Sequence, residues 1–119
     1  MFSFLRPKPT EARPTVTEVA SKVAAGQMVL IDVREIAEVR ASGRADGALV
    51  IPLSLLPLKA DPHKPGVEVP QGVPVAVYCA SGARSGSAAQ LLERLGYGPV
   101  VNLGGLRDWA AGGGRVVPM

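Results

Sequence analysis

Residues Val73 to Tyr78 form an apolar run that leads straight into Cys79 and then into Ala80, Ser81, Gly82, Ala83, Arg84 and Ser85. β-Branched residues fit a pleated, buried strand, whereas small residues with a glycine cannot prolong one. The run therefore predicts a strand that breaks at the cysteine into a tight turn and then a helix. A strand–turn–helix of this kind gathers peptide N–H groups at the helix start, which makes it a place to hold an anion.

The chemistry of that turn follows from its residue types. Gly82 and its small neighbours let successive amides point inward, and the helix beginning near Ser85 adds its positive end. A thiolate is what such a cup stabilises. A free cysteine titrates near ~8.5, and helix N-termini or adjacent cations bring that to about 3.5 to 7.5, which turns a sluggish thiol into a usable nucleophile. Arg84 supplies a fixed positive charge nearby. The competing reading makes Cys79 a small buried hydrophobe, but an inert core cysteine needs neither the Gly82 turn nor the helix start.

The chain has 119 residues, enough for one domain with a single core. With one cysteine it forms no intrachain disulfide and no cysteine-rich zinc site, and no metal or cofactor is expected. The only histidine, His63, stands in DPHKPG between prolines, a loop that positions nothing by itself. No Cys–His dyad is therefore legible, and activation of the thiol falls to backbone dipoles and Arg84. The net charge of +3 is dispersed, and the few aromatics offer no stacking platform, so nucleic acid is not an expected partner. The opening MFSFLRPKP is too short for a signal h-region or a membrane span. A soluble protein of the reducing cytoplasm is the expectation.

Residues 1–14 read as a flexible, Pro-rich extension, with Pro7, Pro9 and Pro14 breaking any period, and 15–119 as the domain. Thr17 is a candidate N-cap for a helix that places Val19, Ala20, Val23 and Ala24 on one face and stops at Gly26. Met28 to Ile31 predicts a buried strand ending at Asp32. Glu35 to Arg40 predicts a helix, and Ala48 to Ile51 a strand closed by Pro52. Lys59 to Gly72 is a surface loop. Ser85 to Leu95 is a helix with Ala88, Leu91, Leu92 and Leu95 inward and Gly96 as its C-cap. Val100 and Val101 give a last strand, and Leu106 to Ala110 a final turn carrying Trp109, a residue type that more often fills a core than binds substrate.

Strands alternating with helices at this spacing predict an α/β fold, a three-layer sandwich around a mostly parallel central sheet of about five short strands flanked by helices. Ligands of such sheets bind beyond the carboxyl ends of the strands. Asp32 and Cys79 both end strands, so they are expected on one rim.

Four segments carry a family resemblance: IDVRE from Ile31 to Glu35, GRADGALVIPLSLLP from Gly43 to Pro57, VYCASGARS from Val77 to Ser85, and NLGGLRDWAAGG from Asn102 to Gly113. In this order the chain resembles a single-domain rhodanese of the rhodanese-like sulfurtransferase family, and the resemblance spans nearly all of Thr15 to Gly113. It implies that Cys79 takes a sulfane sulfur from thiosulfate or a related donor, becomes a persulfide, and passes the sulfur to an external thiol, a protein acceptor or cyanide. It also implies that Ala80, Ser81, Gly82, Ala83 and Arg84 bind the substrate. Four residues lie between Cys79 and Arg84. Similar phosphatases and arsenate reductases have one more, which widens the cup for a tetrahedral oxyanion.

The segment Gly43 to Ala48 departs from the family's usual GHIPGA, with Arg44 and Asp46 in place of its His and Pro. Asp32, Arg34 and Ser85 are candidates for the supporting rim; Asp32 and Arg34 are read foremost as a buried ion pair, since buried charge persists only when paired. Arg84 is read chiefly at the thiolate or a sulfonate, with packing of the helix start as the other role. Two alternatives stand beside the sulfurtransferase: a non-catalytic binding module of the same fold, and a phosphatase or arsenate reductase.

Overall fold

The computed structural model describes residues 13–119. Of the expected N-terminal extension, all but Arg13 and Pro14 lies outside the described residues. In chain order the elements are α1 (Val16–Ala24), β1 (Val29–Asp32), α2 (Ile36–Ser42), β2 (Arg44–Ala45), β3 (Leu49–Val50), a 3₁₀ turn (Leu53–Leu55), α3 (Leu56–Lys59), β4 (Val75–Cys79), α4 (Ala83–Arg94), β5 (Val100–Gly105), α5 (Leu106–Ala111) and β6 (Val116–Val117).

The central sheet is parallel, in the order β3-β1-β4-β5. It has four strands rather than about five; β2 and β6 instead form a separate antiparallel ladder, Arg44 opposite Val117 and Ala45 opposite Val116. Two-residue strands carry no periodicity, so sequence pattern has nothing to register there.

β4 is buried along its whole length, and its side chains alternate between two cores. Val75, Val77 and Cys79 face one with Ala88 and Leu92 of α4 and Leu56 of α3. Ala76 and Tyr78 face the other with Val19 of α1 and Trp109 of α5. These are the two helical layers of the sandwich, and the strand parity decides which layer each rim residue joins.

Local boundaries moved where capping chemistry overrode pattern. α1 starts after Thr15, not Thr17: the Thr15 hydroxyl accepts from the Glu18 N–H at 3.1 Å, and the Glu18 carboxylate accepts from the Thr15 N–H at 2.8 Å. This reciprocal box satisfies two otherwise unpaired groups, which Thr17 has no glutamate to do. α4 begins two residues before the expected Ser85, with Gly82 as N-cap at φ +102°, a left-handed conformation that glycine adopts without strain. β5 runs on to Gly105, past Val101, with a register shift against β4 that sets Cys79 beside Gly105.

That approach is tight: a Cβ on Gly105 would overlap the carbonyl oxygen of Ala80. Gly105→Ala is therefore expected to displace the cysteine loop, lowering stability by about 1–3 kcal/mol and raising the thiol titration. Thermal unfolding and the thiolate absorbance against pH check both.

Candidate active site

Cys79 ends β4 with no exposed surface, and its sulfur lies under the turn formed by the next residues. The Gly82 N–H donates to Sγ at 3.0 Å and the Ser85 N–H at 3.4 Å, with the Ser85 hydroxyl at 3.3 Å. Because α4 begins at Ala83, Ser85 sits in its first turn, where N–H groups have no partner inside the helix and point out of its end. Burial pushes the Cys79 thiol up, but the Ser85 hydroxyl and the Ser85, Gly82 and Ser81 N–H groups outweigh it and lower the thiol to about 7. Peptide hydrogens turned onto a sulfur in this way favour the thiolate.

Ser85 is fully buried and doubly committed. Its hydroxyl lies 2.7 Å from Oδ1 of Asn102, which also accepts from the Gly104 N–H at 2.9 Å. The Asn102 amide nitrogen donates to the Gly82 carbonyl at 3.0 Å. Asn102 on β5 thus ties the turn and the first turn of α4 together.

Arg84, expected as an electrostatic partner of the thiolate or a sulfonate, makes its side-chain hydrogen bonds to a carboxylate. Its Nη1 and Nη2 donate to Oε1 and Oε2 of Glu38 on α2 at 2.7 and 2.8 Å, a fork that holds the guanidinium beside the cup. The reason is geometric: a planar five-donor group matches a carboxylate in two parallel bonds, which a lone sulfur cannot offer. The pairing with Arg84 holds the Glu38 carboxyl down at about 2, and Arg84 is raised in turn, with a smaller Coulombic contribution from Cys79. Ala80, Ser81 and Ala83 form the exposed surface of the turn.

Asp32 and Arg34 share the rim but not the cup. Asp32 is the register neighbour of Tyr78, so its side chain falls on the face opposite Cys79. There Arg34 donates to Asp32 through Nε at 3.0 Å and Nη2 at 2.7 Å, and the Tyr78 hydroxyl donates to Asp32 at 2.6 Å. The Tyr78 oxygen accepts from the Ala45 N–H at 2.9 Å, while Arg34 also reaches Ser42 and the Gly43 carbonyl. This buried ion pair, as expected of Asp32 and Arg34, braces α2 and β2 against the sheet; Asp32 shares the rim with Cys79, and the two-residue period of the strands turns it away from the cup. The segment that departs from GHIPGA still closes: Arg44 reaches the Ala48 carbonyl, and the Asp46 N–H donates to Arg115. His63 is 93% exposed in its loop.

Two residues of the site escaped the sequence reading, Glu38 and Asn102. Asn102 stood within the quoted NLGG segment, but only strand order brings it to Ser85. Among the described residues, no helix is long and apolar enough to cross a membrane.

The chain is 40% identical over 91 residues to a protein of Allochromatium vinosum named sulfurtransferase, covering 76% of this chain and 78% of that one. It is 41% identical over 56 residues to the thiosulfate sulfurtransferase PspE of Escherichia coli, covering 46% and 54%. Among solved structures, a rhodanese-related protein of Thermoplasma volcanium superposes with a TM-score of 0.69 at 28% identity, over 87% of this chain and 95% of that one. A Rhodopseudomonas palustris protein of unknown function, described as a possible tyrosine phosphatase, gives 0.74 at 26% identity over 87% and 82%. The family model for the rhodanese-like domain matches residues 15–112, and with the cysteine turn in place at the end of β4 the chain belongs to the rhodanese-like domain family.

Proposed function

We propose that the protein is a sulfurtransferase that carries sulfane sulfur as a persulfide on Cys79. The observation that supports this most directly is the set of N–H groups of Gly82 and Ser85 aimed at Sγ, with a thiol lowered to about 7. The Cys79 thiolate attacks the outer sulfur of thiosulfate or a similar donor; the new S–S bond forms as the bond to the sulfonate breaks, and sulfite leaves with the electron pair. In the second half an acceptor thiolate or cyanide attacks the outer sulfur, and Cys79 departs as thiolate. The outer sulfur would lie among the amides of Ala80 to Arg84. Sγ is covered by that turn, so donor entry requires the turn to part, and the largest side chain on its exposed surface is a serine.

The names of the Allochromatium vinosum relative and of PspE point the same way. With no second cysteine to resolve the persulfide, the acceptor is external, a small thiol or a protein thiol. A catalytic thiol that must stay reduced suits the cytoplasm. The phosphatase reading is weaker because the four-residue spacing to Arg84 leaves a narrower cup. A lowered thiol supports a catalytic reading over that of a binding module.

The test is stoichiometric. Wild-type protein treated with thiosulfate is expected to gain one sulfur atom per chain and to release one sulfite. An unmodified mass with a chromogenic aryl phosphate hydrolysed instead would overturn the proposal.

Glu38 bears on the donor. Its bond to Arg84 neutralises the cation nearest the cup, so Glu38→Gln, whose amide oxygen can keep the bond from the Glu35 N–H, leaves Arg84 freer to attract an anionic donor. The KM for thiosulfate is expected to fall about two- to fivefold, the scale of one part-exposed ion pair. Steady-state kinetics at constant ionic strength measure it, with melting temperature nearly unchanged.

A further inference from the structure

The Ser85 hydroxyl has one proton and three acceptors in reach. Oδ1 of Asn102 lies at 2.7 Å, Sγ of Cys79 at 3.3 Å, and the Gly104 carbonyl at 3.4 Å. The orientation of the Asn102 amide is dictated by its other partners. Gly104 N–H must meet an oxygen and the Gly82 carbonyl must meet an NH₂, so Ser85 faces Oδ1 and has to donate to it. The hydroxyl proton is then engaged away from the sulfur. A neutral Cys79 thiol completes the chain by donating its own proton to the Ser85 oxygen, giving Sγ–H to Oγ–H to Oδ1.

Ionisation breaks this order. The thiolate has no proton to give and gains from every donor, so the Ser85 hydroxyl must turn from Asn102 to Sγ, exchanging a short bond for a longer one. In the persulfide the inner sulfur is divalent and a weak acceptor, and the hydroxyl returns to Asn102. We propose that Asn102 is a positioning residue that governs the ionisation of Cys79 by competing with its sulfur for the single proton of Ser85. It thereby favours the resting thiol and the persulfide over the free thiolate, and it shields the nucleophile between turnovers.

The charged groups around this chain of hydrogen bonds are engaged elsewhere among the described residues. Arg84 of α4 is forked to Glu38 of α2, and Glu35 stands behind that pair. Arg13 donates to the backbone carbonyl of Asn102. Asp108 of α5 accepts from the Gly105 N–H. Asp32, Arg34 and Tyr78 lie on the other face of the sheet. The Ser85 hydroxyl is thus the link through which Asn102 competes with the sulfur for a proton, beside a second route in which Asn102 holds the Gly82 carbonyl and the Gly82 N–H meets Sγ.

The inference rests on Cys79 being the nucleophile, but its test needs neither donor nor acceptor. Thiolate ultraviolet absorbance is followed against pH in the full chain; both tyrosine phenols are raised by burial, so they stay clear of the thiol's range. Asn102→Leu removes the competing acceptor and is expected to lower the Cys79 midpoint by about half a pH unit, the worth of one net hydrogen bond. In a Ser85→Ala background, where only the Gly82 route is left, the same substitution is expected to give no such fall. A midpoint for Asn102→Leu at or above wild type, or an equal shift in both backgrounds, overturns the proposal.

If the leucine variant fails to fold, Asn102→Asp carries the test. Its carboxylate holds the hydroxyl more tightly and is expected to raise the midpoint by more with Ser85 present than with Ser85→Ala; equal rises overturn it. Sulfur uptake by wild type alongside an unresponsive titration sinks only this inference, whereas a responsive titration in a protein that takes up no sulfur sinks only the sulfurtransferase reading.

Discussion

Cys79→Ser is expected to take up no sulfur from thiosulfate and to lose the proposed turnover by on the order of a millionfold, the scale seen when an enzyme's nucleophile is removed. The substitution replaces one atom, and the Gly82 and Ser85 N–H groups that meet Sγ at 3.0 and 3.4 Å can meet an oxygen as readily, so the variant stays folded. What it lacks is an ionisable group within reach of neutral pH. In the wild type the same argument fixes a pH profile. With the thiolate as the proposed reactive form, sulfur uptake is expected to fall as pH drops through about 7, about tenfold per unit beneath it. Rapid-mixing measurement of sulfite release across pH, with whole-protein mass as the second readout, checks loss and profile together. A midpoint near the free-thiol value would show that the cup does not stabilise the anion.

The folded protein is also linked to that ionisation. A thiol lowered on folding contributes stability that is fully present above the unfolded value near ~8.5 and is lost as pH falls through about 7.

Arg34→Leu is expected to cost about 3–5 kcal/mol, a large part of the ~5–15 kcal/mol that holds a typical domain together. Asp32 is fully buried and Arg34 nearly so, at 4% exposure, and the arginine supplies three of the hydrogen bonds that Asp32 accepts through its side chain. Removing the cation leaves a carboxylate in the core with Tyr78 and one backbone N–H for company. The loss should read as a lower urea midpoint at constant slope. Pairing it with Asp32→Asn, which removes the stranded charge, is expected to recover part of the loss, because breaking a buried pair costs more than replacing it. Folded Arg34→Leu should still titrate Cys79 near wild type, since the network lies on the opposite face of the sheet from Sγ. A midpoint unchanged from wild type would mean that the carboxylate is not the isolated charge the packing makes it.

How much of this was legible beforehand depends on the range of the physics involved. The strand ending at Cys79, the glycine turn and the amphipathic α4 are contiguous, and local rules suffice for them: β-branched residues extend the backbone, Gly82 takes a left-handed turn, and Ala88 and Leu92 fall on one face. The boundary errors were also local, with the Thr15 and Glu18 box and the glycine N-cap of α4 competing against better-known starts. The alternation of strand and helix likewise carried the α/β class and the placing of Cys79 at the carboxyl rim.

The sequence by itself determined that a lone cysteine would sit where a strand meets a helix, since every force needed for that acts within about ten residues of the chain. Only the tertiary structure decided what surrounds the sulfur. Glu38 reaches Arg84 across 46 residues and Asn102 reaches Ser85 across 17, through the order of strands in the sheet rather than through any spacing in the chain. The same holds for Asp32: one residue of strand parity, settled by pairing with Tyr78, sends its carboxylate to the far face and leaves the cup to backbone N–H groups and a serine.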